Sequence, residues 1–202
     1  MIRSIPVLLL LVLLAAPSLA EDALFPLGEG SKWTFDSRTT TGAMGFGVEV
    51  RGTVTAVVEK IETIEGVSCH AIHWIDEEGD LDSTTWVWTE GDSVRVARST
   101  DGHLLLLPTD VAAGGEHATV RVGGTSCELS DHAVGESETV EVPAGRYEAL
   151  PVRCTVKTAG VTIQTTVWYA RGVGPVKIAE SVVVGGAAET KRVLSLRAHE
   201  HR

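Results

Sequence analysis

The sequence predicts an all-β protein: one antiparallel curled sheet, either a half-barrel or sandwich-like, with few or no helices. Two observations predict this fold class. Glycine-containing turn signals recur from Gly79 to Gly186, mostly about nine to fifteen residues apart, and glycine supplies the positive φ that tight hairpin turns need. The segments between the turns are rich in valine, isoleucine, threonine and tryptophan, and many alternate apolar with polar residues, which is typical of half-buried strands.

The predicted strands follow one another along the chain. A valine-rich stretch begins at Val48 and continues through residues 57–65. Glutamates three apart before Gly66 would also fit a short helix there, but the density of β-branched residues favours a strand. The later predicted strands are 82–89, 93–99, 119–122, 149–158, 161–169 and 176–184.

The first twenty residues have the pattern of a secretory signal peptide. Arg3 provides a positive start, residues 7–16 form an apolar run, and residues 18–20 end on small side chains. We therefore expect residues 1–20 to be removed and the protein to be periplasmic or secreted. The apolar run is short for a bilayer and no second one follows, so we expect no integral membrane segment after signal removal. The residue directly after Ala20 is not a cysteine, so no lipid anchor is expected.

Residues 21–202 are expected to form a single all-β domain with a weak internal repeat. At an offset of 82 residues, Thr84 and Trp86 align with Thr166 and Trp168, and residues 94–97 align with 176–179. These matches divide the domain into possible duplicated halves, about 24–99 and 106–181. The alternative is a chance resemblance, because strands draw on few residue types.

Charge and cysteine content limit the function classes. The formal net charge is −10 and the basic residues are scattered, so we expect no nucleic-acid partner. Cys69, Cys127 and Cys154 would enter an oxidising compartment. One disulfide with a remaining thiol, for example Cys127 with Cys154, and three thiols are both open. No Cys-x-x-Cys pattern occurs, so a catalytic thiol is not expected.

Three segments resemble a known group of proteins. Residues 168–177, WYARGVGPVK, resemble the Trp-Tyr-Ala-x-Gly-Val-Gly-x-Val-Lys ending of exported bacterial proteins of uncharacterised function. Residues 142–149, VPAGRYEA, resemble the Val-Pro-Ala-Gly-x-Tyr/Phe segment that precedes it, and residues 25–33 resemble the opening of these proteins. The group is similar in fold to periplasmic lipoprotein carriers of the LolA type, whose curled sheet holds acyl chains. The resemblance thus implies a curled sheet with a lipid, lipoprotein or other apolar ligand, although this chain shows no clear helices to plug it.

Three tryptophans are the candidate ligand-binding residues. Trp86 and Trp88 lie two apart on a predicted strand and share a face, while Val87 lies on the other. Both could line a concave apolar site, and Trp168 is a further candidate, but ordinary core packing is the alternative for all three. Trp168 and its neighbour Tyr169 should point to opposite faces, so that one enters the core and the other lies at the rim.

The sequence indicates no metal or cofactor site. His70 and His73 would face opposite ways on a strand, which prevents them from sharing a metal ion. The acidic stretch 76–82 lacks the glycine and glutamate of a calcium loop and is interpreted as a hairpin tip. The end of the chain, residues 199–201, is expected to fray. No phosphate-binding, dinucleotide-binding or serine-hydrolase motif is present.

These observations together indicate an exported, soluble, non-catalytic binding protein of the cell envelope. Its concave sheet face would hold an apolar ligand or lipid. One alternative is an assembly or scaffold module that pairs through an exposed strand edge. Another is a hydrolase whose histidine and carboxylate meet only in the fold, drawing on His70, His103, His117 or His132.

Overall fold

The computed structural model describes residues 25–43, 46–64, 67–78, 82–90, 93–100, 103–109, 118–122, 125–158, 160–186 and 188–201. The expected signal peptide, residues 1–20, lies outside these ranges. The described residues form strands and turns and contain no helix, so none is long and apolar enough to cross a membrane. The strands are β1 Lys32–Ala43, β2 Phe46–Ile64, β3 Val67–Asp76, β4 Asp82–Glu90, β5 Ser93–Thr100, β6 His103–Thr109, β7 Ala118–Val122, β8 Thr125–Val134, β9 Glu138–Val142, β10 Gly145–Thr158, β11 Val161–Ala170, β12 Gly174–Val184 and β13 Ala188–Glu200.

The strands form one antiparallel sheet that curls into a half-barrel. Its order is β6-β5-β4-β3-β2-β1-β13-β12-β11-β10-β8-β7, and β9 pairs with β10 beside this path. The first and last strands lie side by side in the middle, so consecutive hairpins run outward from them in both directions. Such short connections are what the regular turn signals predicted. The all-β, curled-sheet prediction is confirmed.

The individual strand predictions agree with this sheet. Residues 57–64 belong to β2 and not to a helix, and β4, β5, β7, β10, β11 and β12 cover the later predictions. The expected frayed end is wrong. β13 continues to Glu200, because His199 pairs with Trp33 in the ladder and the ring of His201 lies 5.9 Å from that of Trp33.

Alternation along the strands defines an inner face, which carries the core. Phe35 on β1, Val54 on β2 and Leu196 on β13 occupy one ladder row and are almost fully buried. The segment before β1 covers this region: Gly30 N donates to Val58 O at 2.7 Å, and Phe25 packs edge-on against Trp33 at 5.1 Å.

The turn between β9 and β10 closes the same end of the sheet. The backbone N–H of Ala144 donates to Leu196 O at 2.9 Å, which holds the turn against β13. Val140 and Val142 of β9 join the core cluster. A β-hairpin and the N-terminal segment therefore cover this end of the inner face, and we call this region the packed end.

The motif at residues 168–177 is part of that packing. Tyr169 is buried and Trp168 is half-buried on the opposite face, as the alternation predicted. Gly172 and Gly174 have φ values of 70° and 90°, and the indole Nε1 of Trp33 donates to Val173 O at 2.6 Å. The motif thus fastens the β11–β12 turn to β1.

Cys69 and Cys154 carry thiols. A bridge between Cys127 and Cys154 is therefore not formed; the side chain of Cys127 lies outside those described. Burial raises the pKa of the Cys154 thiol, and a hydrogen bond with Thr165 opposes this by a smaller amount. The thiol form is favoured, so the structure gives no sign of a thiolate nucleophile at this position.

Candidate functional site

The inner face changes character along β2, from packed to open. Val54, Gly52, Val50 and Val48 follow one another on this face, because the β1–β2 register is uninterrupted. Val54 is 3% exposed, whereas Val50 is 54% and Val48 is 68% exposed. Valines normally leave water where packing allows it, so this part of the inner face is an unfilled apolar surface.

The neighbouring strands extend this surface. We call it the open end and define it by Val48, Val50, Thr39, Thr41 and Val182, whose strand positions share the inner face. Thr41 and Thr190 hydrogen-bond across β1 and β13 at 3.3 Å. The row of Val50 and Thr39 continues through Arg192 of β13 to Glu180 of β12. The open end therefore combines exposed valines and hydroxyl groups with one basic and one acidic residue.

A cavity of about 100 Å³ separates the two ends. Its lining includes Ser37, Gly52, Val54, Asp76 and Arg192. The cavity exists because β3 ends at Asp76, opposite Val54, and because a Cβ at Gly52 would meet nothing within 4 Å. Its walls carry charges of both signs, so it does not select strongly for an anion or a cation.

Beside this cavity, the inner face of β3 and β4 carries a cluster of hydrogen-bonding side chains. His70 Nδ1, Trp74 Nε1, Ser83 Oγ and Thr85 Oγ1 are all buried and have no hydrogen-bond partner among the described residues. Trp74 pairs with Ser83 in the ladder, and Thr85 follows two residues later on the same face. We call these four residues the polar cluster.

Burying so many unpartnered groups in one place is costly. A buried donor or acceptor without a partner costs about 1–3 kcal/mol, and native proteins contain few of them. Thr85 is only 6% exposed. The cluster is therefore ready to accept hydrogen bonds from, or donate them to, a group that is not a side chain of the described residues, such as water or a ligand.

The polar cluster borders the aromatic core on one side, and its histidine is uncharged. The ring of Trp74 stacks on Phe35 with centroids 6.0 Å apart. Burial lowers the pKa of His70, and Glu29 opposes this by a smaller amount. Since the ordinary pKa of histidine is about 6.5, His70 is uncharged at neutral pH. It can then act as a hydrogen-bond donor or acceptor at Nδ1, depending on its tautomer.

The three tryptophans singled out from the sequence lie on the other face of the sheet. Trp86 and Trp88 alternate with Val87, which belongs to the core cluster. Trp168 alternates with Val167, whose ladder partner Val152 belongs to that cluster, and the half-buried Trp168 also packs against the cluster. The inferred alternation is confirmed. Their role in ligand binding stays a prediction, and it would need a ligand on the outer face.

Two of these tryptophans make matching contacts. Trp86 Nε1 donates to Glu62 Oε2 at 2.7 Å, and Trp168 Nε1 donates to Glu138 Oε1. Each glutamate lies two strands away, across one intervening strand. On β3, Trp86 pairs with Ala71 and Glu62 pairs with Cys69. On β10, Trp168 pairs with Pro151 and Glu138 pairs with Ala149. In both cases the two paired positions on the intervening strand are two residues apart. The repeat at 82 residues stays a prediction, and this recurrence agrees with it.

The remaining candidates from the sequence do not come together as a metal site. His70 and His73 lie on opposite faces of β3, because no register shift separates them. Within the described part of the chain, no group of three or more His, Cys, Asp or Glu side chains is placed to hold a metal ion. His117 and the side chains of His103 and His132 lie outside the description.

Comparisons with known proteins identify the fold. The chain is similar to the crystal structure of a putative lipoprotein from Parabacteroides distasonis, with 12% identity, a TM-score of 0.53, and coverage of 89% of this chain and 99% of that one. It is also similar to a putative exported protein with a YmcC-like fold from Bacteroides fragilis, with 15% identity, a TM-score of 0.51, and coverage of 87% and 98%. No protein-family model and no curated protein matches the chain. At these identities the likeness shows the fold alone.

Sequence reasoning missed the polar cluster. Its members are a histidine, a tryptophan, a serine and a threonine spread over residues 70–85, without a recognisable motif. One signal was available: inner-facing positions of a half-buried strand are normally apolar, and β3 and β4 place polar residues there. Using that signal requires knowing which face is inner.

Proposed function

We propose that this chain is an exported, non-catalytic protein of the cell envelope that holds an apolar ligand on the inner face of its curled sheet. The observation that carries the proposal is the open end. It continues the surface that forms the core a few residues away, yet its valines are exposed. The occupant we infer is a small molecule with a hydrocarbon chain.

Several features support a small apolar ligand over a charged one. The valines and threonines of the open end offer apolar contact area, and the charged residues of the same row, Arg192 and Glu180, are of opposite sign. The adjoining cavity of about 100 Å³ is likewise bordered by both acidic and basic groups. Ligand sites in proteins are mostly concave and apolar, with a few hydrogen-bonding groups that fix orientation. The open end, the cavity and the polar cluster together have this composition.

The compartment in the proposal is supported by two observations. Residues 1–20 have the pattern of a signal peptide. The solved structures of similar fold are named as a putative lipoprotein and a putative exported protein.

The proposal is tested with purified protein and an environment-sensitive apolar dye. Val50→Glu places a charge on the open end, and we expect it to weaken dye binding by at least about tenfold, because a carboxylate loses hydration on contact with an apolar ligand. Ile75→Glu is the matched control, since Ile75 is 41% exposed and lies on the outer face of β3. It should leave dye binding unchanged.

Native mass spectrometry of protein recovered from its own envelope gives the second readout. A bound small molecule that is lost in Val50→Glu and kept in Ile75→Glu supports the proposal. Equal dye affinity in both variants, together with a ligand-free native protein, contradicts it.

The strand-edge alternative keeps one supporting observation. β6 and β7 are the terminal strands of the sheet path and are not hydrogen-bonded to each other, although they lie close together. An edge without a hydrogen-bonded neighbour can add a strand from a partner. In that case the protein would self-associate or bind a partner, and Val50→Glu on the inner face would have no effect on the association.

A further inference from the structure

We propose that the polar cluster on β3 and β4 binds the oxygen-bearing head of the apolar ligand, a carboxyl or ester group at the end of a hydrocarbon chain. This inference rests on the proposed function and adds the orientation and chemical class of the ligand. It begins from four buried polar atoms, those of His70, Trp74, Ser83 and Thr85, that have no hydrogen-bond partner among the described residues.

The register places these groups within reach of one ligand group. Trp74 and Ser83 are direct cross-strand neighbours, and Thr85 and His70 lie in the next two ladder rows. Directly opposed side chains in an antiparallel pair start about 5 Å apart, and the cluster spans about 13 Å along the strands. One carboxyl or ester group therefore contacts two or three of the four residues at a time.

The chemistry of the cluster favours a ligand that accepts hydrogen bonds. The indole N–H of Trp74 is a donor only, and the hydroxyls of Ser83 and Thr85 can donate. A carbonyl or carboxylate oxygen satisfies such donors, whereas a bare hydrocarbon leaves them unpartnered.

The location of the cluster gives the ligand its direction. Asp76, the next inner-facing residue after Trp74 on β3, lines the cavity that leads toward Val50. A molecule whose head lies at the polar cluster thus has its chain directed along the cavity toward the open end. The distance from the cluster to Val50 along β2 is about 20 Å, which suits an extended chain.

Groups of both signs lie near the head: Asp76 ends β3 on the inner face, and Arg192 lines the adjoining cavity. The charge of the head is therefore decided by experiment. A carboxylate and an ester share the accepting oxygen, and the two are distinguished by testing both.

The decisive variant is Thr85→Val, with Thr84→Val as its matched control. Both change the same residue type on the same strand, but Thr85 is 6% exposed on the inner face and Thr84 lies on the outer face. Thr85→Val removes an unpartnered buried hydroxyl, so we expect the ligand-free variant to unfold at a higher urea concentration than the wild type. A hydroxyl with a purely structural bond would show the opposite change.

Three probes of equal chain length separate head from tail: dodecane, dodecanoate and methyl dodecanoate, each displacing the apolar dye. We expect Thr85→Val to weaken binding of dodecanoate or of the ester by about threefold to tenfold, the value of one hydrogen bond, and to leave dodecane unchanged. Thr84→Val should leave all three unchanged. Trp74→Phe, which removes the indole donor, should repeat the effect of Thr85→Val.

The outcomes are distinct. Loss of affinity for an oxygen-bearing probe in Thr85→Val, with dodecane unaffected, supports the inference, and whichever probe responds identifies the charge of the head. If dodecane binds and the Thr85→Val and Thr84→Val variants have the same affinity for each probe, the cluster holds only water. The inference is then overturned while the proposed function stands. If the wild type binds none of the three, both are overturned.

Discussion

The β11–β12 turn is fastened to β1 by contacts that leave no space at Gly174. This residue has φ of 90°, and a Cβ placed on it would lie 2.8 Å from Phe25 Cδ2 and 3.3 Å from Trp33 Nε1. Gly174→Ala therefore meets two separate penalties. The left-handed backbone costs about 1–2 kcal/mol for a residue with a Cβ, and overpacking against the two aromatic rings costs about 1–3 kcal/mol more.

We expect Gly174→Ala to lower the free energy of unfolding by about 2–5 kcal/mol. For a domain of this size that corresponds to a fall in melting temperature of roughly 5–15 °C. The measurement is urea unfolding followed by far-ultraviolet circular dichroism, with a thermal melt as the second readout.

Gly185→Ala is the matched control. Gly185 also has positive φ, 59°, but a Cβ there meets nothing within 4 Å. Its loss should be limited to the backbone penalty, about 1 kcal/mol after the lower entropy of the unfolded alanine chain is included. Equal losses in the two variants would refute the argument that Phe25 and Trp33 lock the turn, because only Gly174 carries the steric part.

Three further predictions concern side chains on and around the sheet. Trp86→Phe should raise the pKa of Glu62 toward its ordinary value, because hydrogen bonds from Lys60 first and Trp86 second hold it low; carboxyl titration by nuclear magnetic resonance measures this, and an unchanged pKa would contradict the Trp86 contact. The burial that lowers the pKa of His70 means that the unfolded chain takes up a proton first as the pH falls below about 6.5. Stability should therefore decrease between pH 7 and pH 5, and less steeply in His70→Gln, as urea midpoints will show; parallel curves would exclude His70 as a cause. Cys154 should react with iodoacetamide at pH 8 far more slowly in the native than in the urea-unfolded protein, because burial raises the pKa of its thiol; mass-spectrometric mapping checks this, and equal rates would contradict it.

The sheet could be predicted from the sequence because strands and hairpins are encoded locally. Alternation with period two and glycine-containing turns identified β4, β5, β11 and β12 closely, and the same alternation correctly separated Tyr169 from Trp168. Other elements lack such signals. β9 has only five residues, which is too short for a clear alternation. The histidine-rich end of β13 has the composition of a frayed terminus, and only its pairing with β1 shows that it is a strand.

The candidate site shows the same division. Trp86, Trp88 and Trp168 attracted attention because tryptophan is conspicuous in a sequence, yet they lie on the outer face, where Trp86 and Trp168 bond to glutamates. Ser83 and Thr85 were inconspicuous, and His70 was considered only as a metal ligand or as part of a hydrolase site. They matter because the β3–β4 register and the burial of their polar atoms bring them together.

The sequence by itself determined the class of fold, the strand positions and the two-faced character of each strand, since these depend on neighbours two or three residues apart. Only the tertiary structure decided which face is inner, where the inner face is packed and where it is open, and which polar groups are buried without partners. These properties depend on contacts between residues far apart in the chain, such as Trp33 with Val173 and Ala144 with Leu196. The free energy of those contacts arises from packing and desolvation, which no local pattern records.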